Sequence, residues 1–350
     1  MSTRLLLALG IVSCALFAQT PPRYEVDPTW PKPLPEDWTW GRLGGICVDS
    51  HDHVAVVDRR DISDEEAETS HRAPPIVIFD AAGTVIKSMG DPDKVPGSIH
   101  GCFFDREDNV WVGGNNDGII QKYSHDGKLL MQIGKRGVFD TSDGTRRGKL
   151  NNASHEQFFL PAGIAIDPGN GDIYVADGYG NRRVAVFDKT GKFLRQWGRQ
   201  ATEQETRDGA PGAFAQLVHC IALGNDGLLY VCDRQGDRVQ VFDKMGNFKR
   251  NIWIRTGTAT LPDPRGTAWW VAFSIDPEQK FMYVMNGRNE QVHILDHASG
   301  KILSSFGRPG HQLGSFIHGH TIAFDSKGNL YVAETDNGRR IQKFKVVASR

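Results

Sequence analysis

Short apolar runs of four to six residues recur along the chain, and turns rich in Asp, Gly and Asn separate them. Runs of this length bounded by such turns predict β-strands. The clearest copy of the pattern has three strands: Ile164-Ala-Ile-Asp, Gly171-Asp-Ile-Tyr-Val-Ala-Asp177 and Arg183-Val-Ala-Val-Phe-Asp-Lys-Thr-Gly191. The same order returns from Ile221 to Gly246 and from Ile322 to Phe344.

Weaker copies of this repeat begin near Ile46, Cys102 and Phe273, which gives six copies at a spacing of 49 to 62 residues. Repeats of this length with about four short strands each predict an all-β fold, a six-bladed β-propeller. The last copy lacks an outer strand. We expect Arg23-Tyr-Glu-Val-Asp27 to supply it, because pairing the two termini would close the ring and remove an exposed sheet edge.

The organisation predicted from this repeat is a signal peptide at 1–18, an N-terminal segment with the closing strand at 19–40, and the propeller at 41–350. Arg4 followed by the apolar run 5–17 is typical of a secretory signal and is too short to span a membrane. Lipoprotein processing at Cys14 is the alternative. We therefore expect an exported protein, periplasmic or secreted, without a membrane span. Polar insertions at 61–75, 135–158 and 199–214 are expected to be loops at one mouth of the channel.

The composition and charge of the chain argue against two classes of binding partner. The 39 glycines agree with many tight turns, and 41 basic against 42 acidic residues leave a formal charge of −1. Without a net field, neither nucleic acid nor anionic lipid is an expected partner. The cysteines that would remain after cleavage, Cys47, Cys102, Cys220 and Cys232, are too few for a disulfide scaffold and lack metal-binding spacing. We expect buried free thiols.

One column of equivalent positions on the first strand of each copy carries histidine in every second copy. We take the first apolar residue of each copy as its anchor: Ile46, Cys102, Ile164, Ile221, Phe273 and Ile322. Two residues before these anchors the chain has Gly44, His100, Ala162, His219, Val271 and His320. The first strand of a blade lines the channel, so three imidazoles would converge on its axis, which is the ligand set of a catalytic metal site. His318 is the competitor for the third ligand, and we expect it to lie outside the site.

A second column, at the ends of the second strands, places polar residues near the same mouth. It holds Asp58-Arg59, Asp177-Gly-Tyr179 and Asp233-Arg234. We expect each aspartate to be a local turn cap. The guanidiniums of Arg59 and Arg234 suit a small carboxylate, and the Tyr179 hydroxyl beside a divalent cation suits a general base.

With these residues the repeat resembles NHL-type propellers and, among them, the peptidyl-α-hydroxyglycine α-amidating lyases (peptidylamidoglycolate lyases). The resemblance covers roughly residues 41–346, and five stretches are the most specific. They are His100-Gly with Asn109-Val-Trp-Val, Tyr174-Val-Ala-Asp-Gly-Tyr179-Gly-Asn-Arg-Arg, Gly191-Lys-Phe-Leu-Arg-Gln-Trp-Gly198, His219-Cys-Ile-Ala-Leu with Val231-Cys-Asp-Arg234, and His320-Thr-Ile with Gly328-Asn-Leu-Tyr-Val.

The resemblance implies a catalytic zinc, or another divalent transition metal, on His100, His219 and His320, with Tyr179 as the catalytic tyrosine and Arg59 and Arg234 as site arginines. It further implies a metal-dependent lyase that cleaves an α-hydroxyglycine-type carbinolamide into an amide and glyoxylate. The substrate would be a small molecule or peptide with a carboxylate. We expect no monooxygenase domain ahead of the propeller, so a non-peptide substrate is as acceptable as a peptide.

The sequence departs from that family at two places. The cysteine beside the family's catalytic tyrosine is Gly180 here, and the family's second disulfide also lacks matching cysteines. The family's structural calcium uses an aspartate directly after the third histidine, where this chain has Thr321. Calcium is thus a weaker expectation than zinc, with backbone carbonyls around Ile46 and Cys102 as its remaining ligands.

Two other functions compete with the lyase. A non-catalytic NHL propeller would bind a protein or glycan at the cell surface, since the fold alone decides no function. It would not need three imidazoles in its channel. A calcium-dependent propeller hydrolase such as a lactonase would need acidic or amide ligands, which the odd-numbered positions Gly44, Ala162 and Val271 do not offer.

Overall fold

A computed structural model describes residues 20–255 and 263–347 of the chain, and it has six four-stranded antiparallel sheets. Each sheet forms one blade of a propeller, as predicted. From the channel outward, the strands of blades one to three are Leu43–Val48, Val54–Asp58, Ile76–Phe79 and Val85–Met89; Ile99–Phe104, Val110–Gly114, Ile120–Tyr123 and Leu129–Ile133; Pro161–Ile166, Ile173–Asp177, Arg183–Phe187 and Phe193–Trp197.

Blades four to six follow the same order. Their strands are Val218–Leu223, Leu229–Asp233, Arg238–Phe242 and Phe248–Trp253; Ala268–Phe273, Phe281–Asn286, Gln291–Asp296 and Ile302–Phe306; Gly319–Phe324, Leu330–Glu334, Arg340–Val347 and Arg23–Val26. The last strand comes from the N-terminal segment and pairs antiparallel with the C-terminal one, from Arg23 opposite Val347 to Val26 opposite Phe344. The predicted closure is therefore confirmed.

The hydrophobic core lies between neighbouring blades rather than inside any one of them. Each sheet is sandwiched, so both faces of the second strands are buried, and Val54–Asp58 and Ile173–Asp177 have no exposed residue. One apolar cluster joins Ile78 of blade one to Val112 of blade two, and another joins Tyr174 of blade three to Val231 of blade four. Along the outer strand Val85–Met89, half-buried and exposed side chains alternate up to the buried Met89.

Two of the three insertions contain secondary structure where we expected loops. Insertion 61–75 carries helix α1, Asp64–Ala67, and insertion 199–214 carries helix α2, Glu203–Asp208. Each begins at a capping box, Ser63 with Glu66 and Thr202 with Glu205, which satisfies the free N–H groups of so short a helix.

Four two-residue strands form two parallel pairs beside these helices: Trp38–Thr39 with His71–Arg72, and Arg199–Gln200 with Ala213–Phe214. A 3₁₀ turn follows at Arg234–Gly236. Among the described residues, no helix has the length and apolarity to cross a bilayer. The predicted signal peptide and Cys14 lie outside the described residues.

The expectation of free thiols was wrong. Disulfides join Cys47 to Cys102 and Cys220 to Cys232. Cys47 and Cys102 are 55 residues apart but occupy the innermost strands of adjacent blades, with Cα atoms 5.4 Å apart. The repeat alignment set Cys102 equivalent to Ile46, one residue before Cys47, and a pattern within each copy carries no information about contacts between adjacent blades.

Candidate metal centre

The site forms at one end of the propeller channel. Neighbouring strands of a blade run antiparallel, so the start of each innermost strand lies beside the loop that follows the second strand. The histidine column and the polar column therefore meet at this end.

His100, His219 and His320 converge there as the column predicted. They are at most 1% exposed, and their ring centroids are 4.8, 5.0 and 5.2 Å apart. Each offers a ring nitrogen within 4.8 Å of the nitrogens offered by the other two. Such spacing lets three imidazoles share one ion.

Backbone carbonyls fix the tautomers of two of these rings. Nδ1 of His219 lies 2.7 Å from the carbonyl oxygen of Trp269, and Nδ1 of His100 lies 3.2 Å from that of Ala162. Because a carbonyl only accepts, Nδ1 carries the proton in both rings and Nε2 presents a lone pair. The Tyr179 hydroxyl lies 3.2 Å from Nε2 of His100 and 3.0 Å from Nε2 of His219.

This arrangement fits a divalent cation. The Tyr179 hydroxyl has one proton and faces two lone pairs, so one of them stays unsatisfied unless a cation binds. Nδ1 of His320 is also buried without a hydrogen-bond partner among the described residues. Burial lowers the pKa of all three imidazoles, that of His219 to about 3, and the nearby Arg59 and Arg234 guanidiniums add to the effect. The rings are therefore neutral at physiological pH, which is the form that binds metal.

Tyr179 reaches these rings because its loop is compact and tightly held. A Cβ at Gly178 would lie 2.2 Å from the carbonyl oxygen of Val218, and one at Gly180 would lie 2.2 Å from the Phe159 ring. A side chain at position 180 would therefore clash in this structure, so the cysteine that the α-amidating lyases carry beside the catalytic tyrosine does not fit here. Nη1 of the buried Arg182 donates to the carbonyls of Gly178, Gly180 and Asn181, at 3.1, 2.9 and 2.6 Å.

The two arginines lie close enough to the histidines to depress their pKa values. Arg234 stacks on Trp269, with its guanidinium carbon 3.5 Å from the ring centroid, and its Nε donates to the Arg265 carbonyl at 2.9 Å. Nε of Arg59 is buried without a hydrogen-bond partner among the described residues. The Arg59 guanidinium is thus available to an anionic ligand.

The structure corrects the histidine column in blade five. Val271 pairs with Val284 as Ile221 pairs with Val231 in blade four, so the position equivalent to His219 is Trp269. The apolar Ala272 and Phe273 next to Val271 allowed the alignment to slip by two residues, which keeps the same face of the strand. Trp269 is a site residue that the sequence pattern missed, although a large aromatic at that end of the strand was a usable signal. His318 lies outside the cluster, with its Nδ1 3.9 Å from Asp336.

The turn-cap interpretation holds only in part. Asp58 accepts the N–H of Arg60 locally and also that of Gly41, ahead of the innermost strand, and burial raises its pKa to about 7. Asp177 and Asp233 additionally tie the chain ahead of the innermost strand to the third strand: Asp177 binds the Phe159 N–H and Arg183. Asp233 binds the Ala215 N–H and Arg238 in the same way.

Comparison with known proteins agrees with this architecture. The family model for the NHL repeat matches residues 160–187, which include the first three strands of blade three. The chain is a six-bladed β-propeller, and its third blade matches the NHL repeat. It resembles the α-amidating lyases in particular: it is 29% identical over 256 residues to peptidyl-α-hydroxyglycine α-amidating lyase 1 of Drosophila melanogaster, covering 70% of this chain and 44% of that protein.

Other proteins similar to this chain differ in length and name. Peptidyl-glycine α-amidating monooxygenase A of Xenopus laevis is 26% identical over 329 residues, which cover 86% of this chain and only 32% of that protein. The chain thus spans about a third of the amidating monooxygenase. Human NHL repeat-containing protein 3 is 25% identical, covering 92% of this chain and 84% of that one. A solved streptogramin B lyase shares the fold, with a TM-score of 0.55 at 14% identity over 93% of this chain and 98% of that one.

Proposed function

We propose that the protein is a metal-dependent lyase that cleaves an α-hydroxyglycine-type carbinolamide into an amide and glyoxylate. The observation that carries the proposal is the position of Tyr179, whose hydroxyl lies within 3.2 Å of the inward nitrogens of His100 and His219. A propeller that served only as a scaffold would not need a phenol directed at two buried, neutral imidazoles. Similarity to proteins named amidating lyases supports the same assignment.

His100, His219 and His320 would hold zinc or another divalent transition metal. When bound, such an ion supplies Lewis-acid polarisation of the substrate hydroxyl oxygen. Thr321 offers a buried hydroxyl without a hydrogen-bond partner among the described residues where the resembling family has an aspartate, so the chain supports a separate calcium site less well.

Tyr179 is positioned to act as the general base. In its phenolate form, which a bound cation would favour, Tyr179 would take the proton of the substrate hydroxyl, the C–O bond would become the carbonyl of glyoxylate, and the C–N bond would break toward nitrogen. The proton then passes to the departing amide nitrogen, so that atoms and charge balance. General acid–base assistance of this kind contributes about 10²- to 10⁴-fold in rate.

Arg59 and Arg234 would orient the substrate through its carboxylate. Trp269 restricts the Arg234 guanidinium by stacking, the Arg265 carbonyl accepts from its Nε, and the guanidinium also interacts with Tyr179, so a carboxylate bound to Arg234 would lie beside the catalytic tyrosine. The chemistry therefore selects a small molecule or peptide that carries a carboxylate next to the carbinol carbon.

We also infer that the protein is exported, from two features outside the site. The apolar run at 5–17 is typical of a cleaved signal, and two disulfides are characteristic of proteins in an oxidising compartment. The periplasm or the extracellular space meets both conditions, with a lipid anchor at Cys14 as the alternative.

A non-catalytic propeller that binds a protein or glycan is the second candidate. The extensive mutual coverage with NHL repeat-containing protein 3 favours it. Glyoxylate release from α-hydroxyhippurate by untagged, zinc-loaded protein separates the two functions. We expect turnover that falls at least 100-fold in Tyr179→Phe while the zinc content is unchanged. Bound zinc without glyoxylate release from any carbinolamide would overturn the lyase and leave the binding module.

A further inference from the structure

A buried aspartate begins the turn between the first and second strands in several blades, and a lysine usually neutralises it. Lys122 Nζ lies 2.8 Å from Asp105, and Lys244 Nζ lies 2.6 Å from Asp167. In blade six the separation is 4.0 Å, between Lys343 and Asp325. These carboxylates are at most 4% exposed, so each needs a nearby cation.

Blade one breaks this pattern. The carboxylate of Asp49 is fully buried, yet no lysine or arginine lies within 4 Å of it among the described residues. Two imidazole nitrogens occupy the place of the lysine: Nδ1 of His53 at 2.9 Å and Nε2 of His125 at 3.5 Å from Asp49 Oδ2. The other carboxylate oxygen accepts the backbone N–H groups of His51 and His53, so the turn holds Oδ2 in place.

We propose that Asp49, His53 and His125 form a second binding site for a divalent transition metal such as zinc. A tetrahedral site with bonds of about 2.0–2.1 Å separates its ligand atoms by about 3.3 Å, and the two distances from Asp49 Oδ2 lie on either side of this value. The three ligand atoms all lie within 4.8 Å of one another. Nε2 of His125 is buried but has no hydrogen-bond partner in the described part of the chain, as expected for a nitrogen that binds an ion.

The second site is separate from the three-histidine site. Its residues lie in loops that follow the first and third strands, at the opposite end of the blades from His100. Five residues of strand separate His100 from that end, or about 16 Å. The side chains of His53 and His125 are 29% and 44% exposed, which leaves an open path for the ion and room for water as a fourth ligand.

The proposed ion would join two blades. Asp49 and His53 belong to blade one and His125 to blade two, where Lys87 of blade one also donates to the His125 carbonyl at 2.5 Å. A metal bound only by the folded arrangement raises the stability of that arrangement. Zinc should therefore raise the melting temperature through this site even when the three-histidine site is disabled.

The test counts zinc in untagged protein by equilibrium dialysis and elemental analysis. We expect two ions per chain in the wild type, one in His219→Ala, and none in His219→Ala combined with His125→Ala. The matched control combines His219→Ala with His311→Ala, which removes an exposed histidine elsewhere and should keep one ion. Thermal unfolding without metal verifies that the His125 variant folds, and with Cu²⁺ in the His219→Ala protein the electron paramagnetic resonance spectrum should show coupling to two nitrogens.

The proposal is overturned if His125→Ala removes no zinc in either background. It is also overturned if the His219→Ala protein binds none, because protonated imidazoles would then neutralise Asp49 without a metal. Both outcomes are independent of glyoxylate release, so the proposed lyase stands or falls separately.

Discussion

Arg182 is predicted to hold the catalytic loop in shape, and Arg182→Met tests this. The variant keeps much of the side-chain volume and removes the guanidinium, whose Nη1 contacts three carbonyls of the loop around Tyr179. Nη1 has two hydrogens, so at most two of these bonds are fully formed, and a hydrogen bond from a charged donor contributes about 1.5–3 kcal/mol. Burial lowers the pKa of Arg182, which shows that desolvation cancels part of that gain. We expect a net loss of about 2–4 kcal/mol in the free energy of unfolding.

Urea unfolding measures this loss, and glyoxylate release measures its effect on the site. Misplacing a catalytic group by about 1 Å can cost roughly 100-fold in rate. We therefore expect a fall in kcat of that order with KM and zinc content little changed, since Arg182 contacts neither histidine nor arginine side chains of the site. Arg207→Met in helix α2 is the control, because its exposed pair with Glu203 contributes less than about 1 kcal/mol. An Arg182 variant with stability and kcat both near wild type would refute the reasoning.

Three further predictions follow from particular contacts. Arg234→Ala should raise KM for a carboxylate substrate by about 10- to 100-fold, and a KM within twofold of wild type would exclude carboxylate binding by Arg234. Burial lowers the pKa of His293 from 6.5 to about 4, so the free energy of unfolding falls as the pH is lowered from 6.5 to 4. In urea titrations His293→Gln should remove up to about 3 kcal/mol of this loss, and an unchanged pH dependence would contradict the prediction. Cys47→Ala with Cys102→Ala should destabilise the protein by about 4 kcal/mol, and Cys220→Ala with Cys232→Ala by about 3 kcal/mol. The difference is expected because the first disulfide closes a loop of 55 residues and the second a loop of 12. The reverse order in thermal unfolding would count against chain entropy as the cause.

The repeat made most of the fold predictable, because each blade is locally encoded. Strands and turns recur in one order, and the missing outer strand of the last copy identified its partner, Arg23–Val26, over 300 residues away. The short helices in the insertions and the Cys47–Cys102 contact were missed. The helices begin at local capping boxes in insertions that lie outside the repeat, whereas the disulfide depends on how neighbouring blades pack, which a pattern within one repeat does not contain.

The histidines of the site were predictable even where the repeat was weak, but the register of blade five was not. His100, in a weak copy, converges with His219 and His320 as expected. In blade five the apolar residues continue from Val271 to Phe273, so the register was assigned two residues late and Trp269 was overlooked. A two-residue shift preserves alternation, so periodicity cannot detect it, and only the pairing with Phe281–Asn286 does.

The alternation of histidine around the ring has a structural cause that the correct register reveals. The residue at the same position in the next odd-numbered blade supplies a backbone carbonyl rather than a side chain: Ala162 to His100 and Trp269 to His219. These carbonyls fix the Nδ1 tautomer and aim Nε2 at the axis, as the groups behind metal-binding histidines generally do. Side chains at all six positions would crowd the channel, and at Gly44 a Cβ would lie only 2.0 Å from the carbonyl oxygen of Ile99. Three histidine ligands thus alternate with odd-numbered positions of which two supply orienting carbonyls, and His320, whose Nδ1 lacks such a partner among the described residues, is the least constrained of the three.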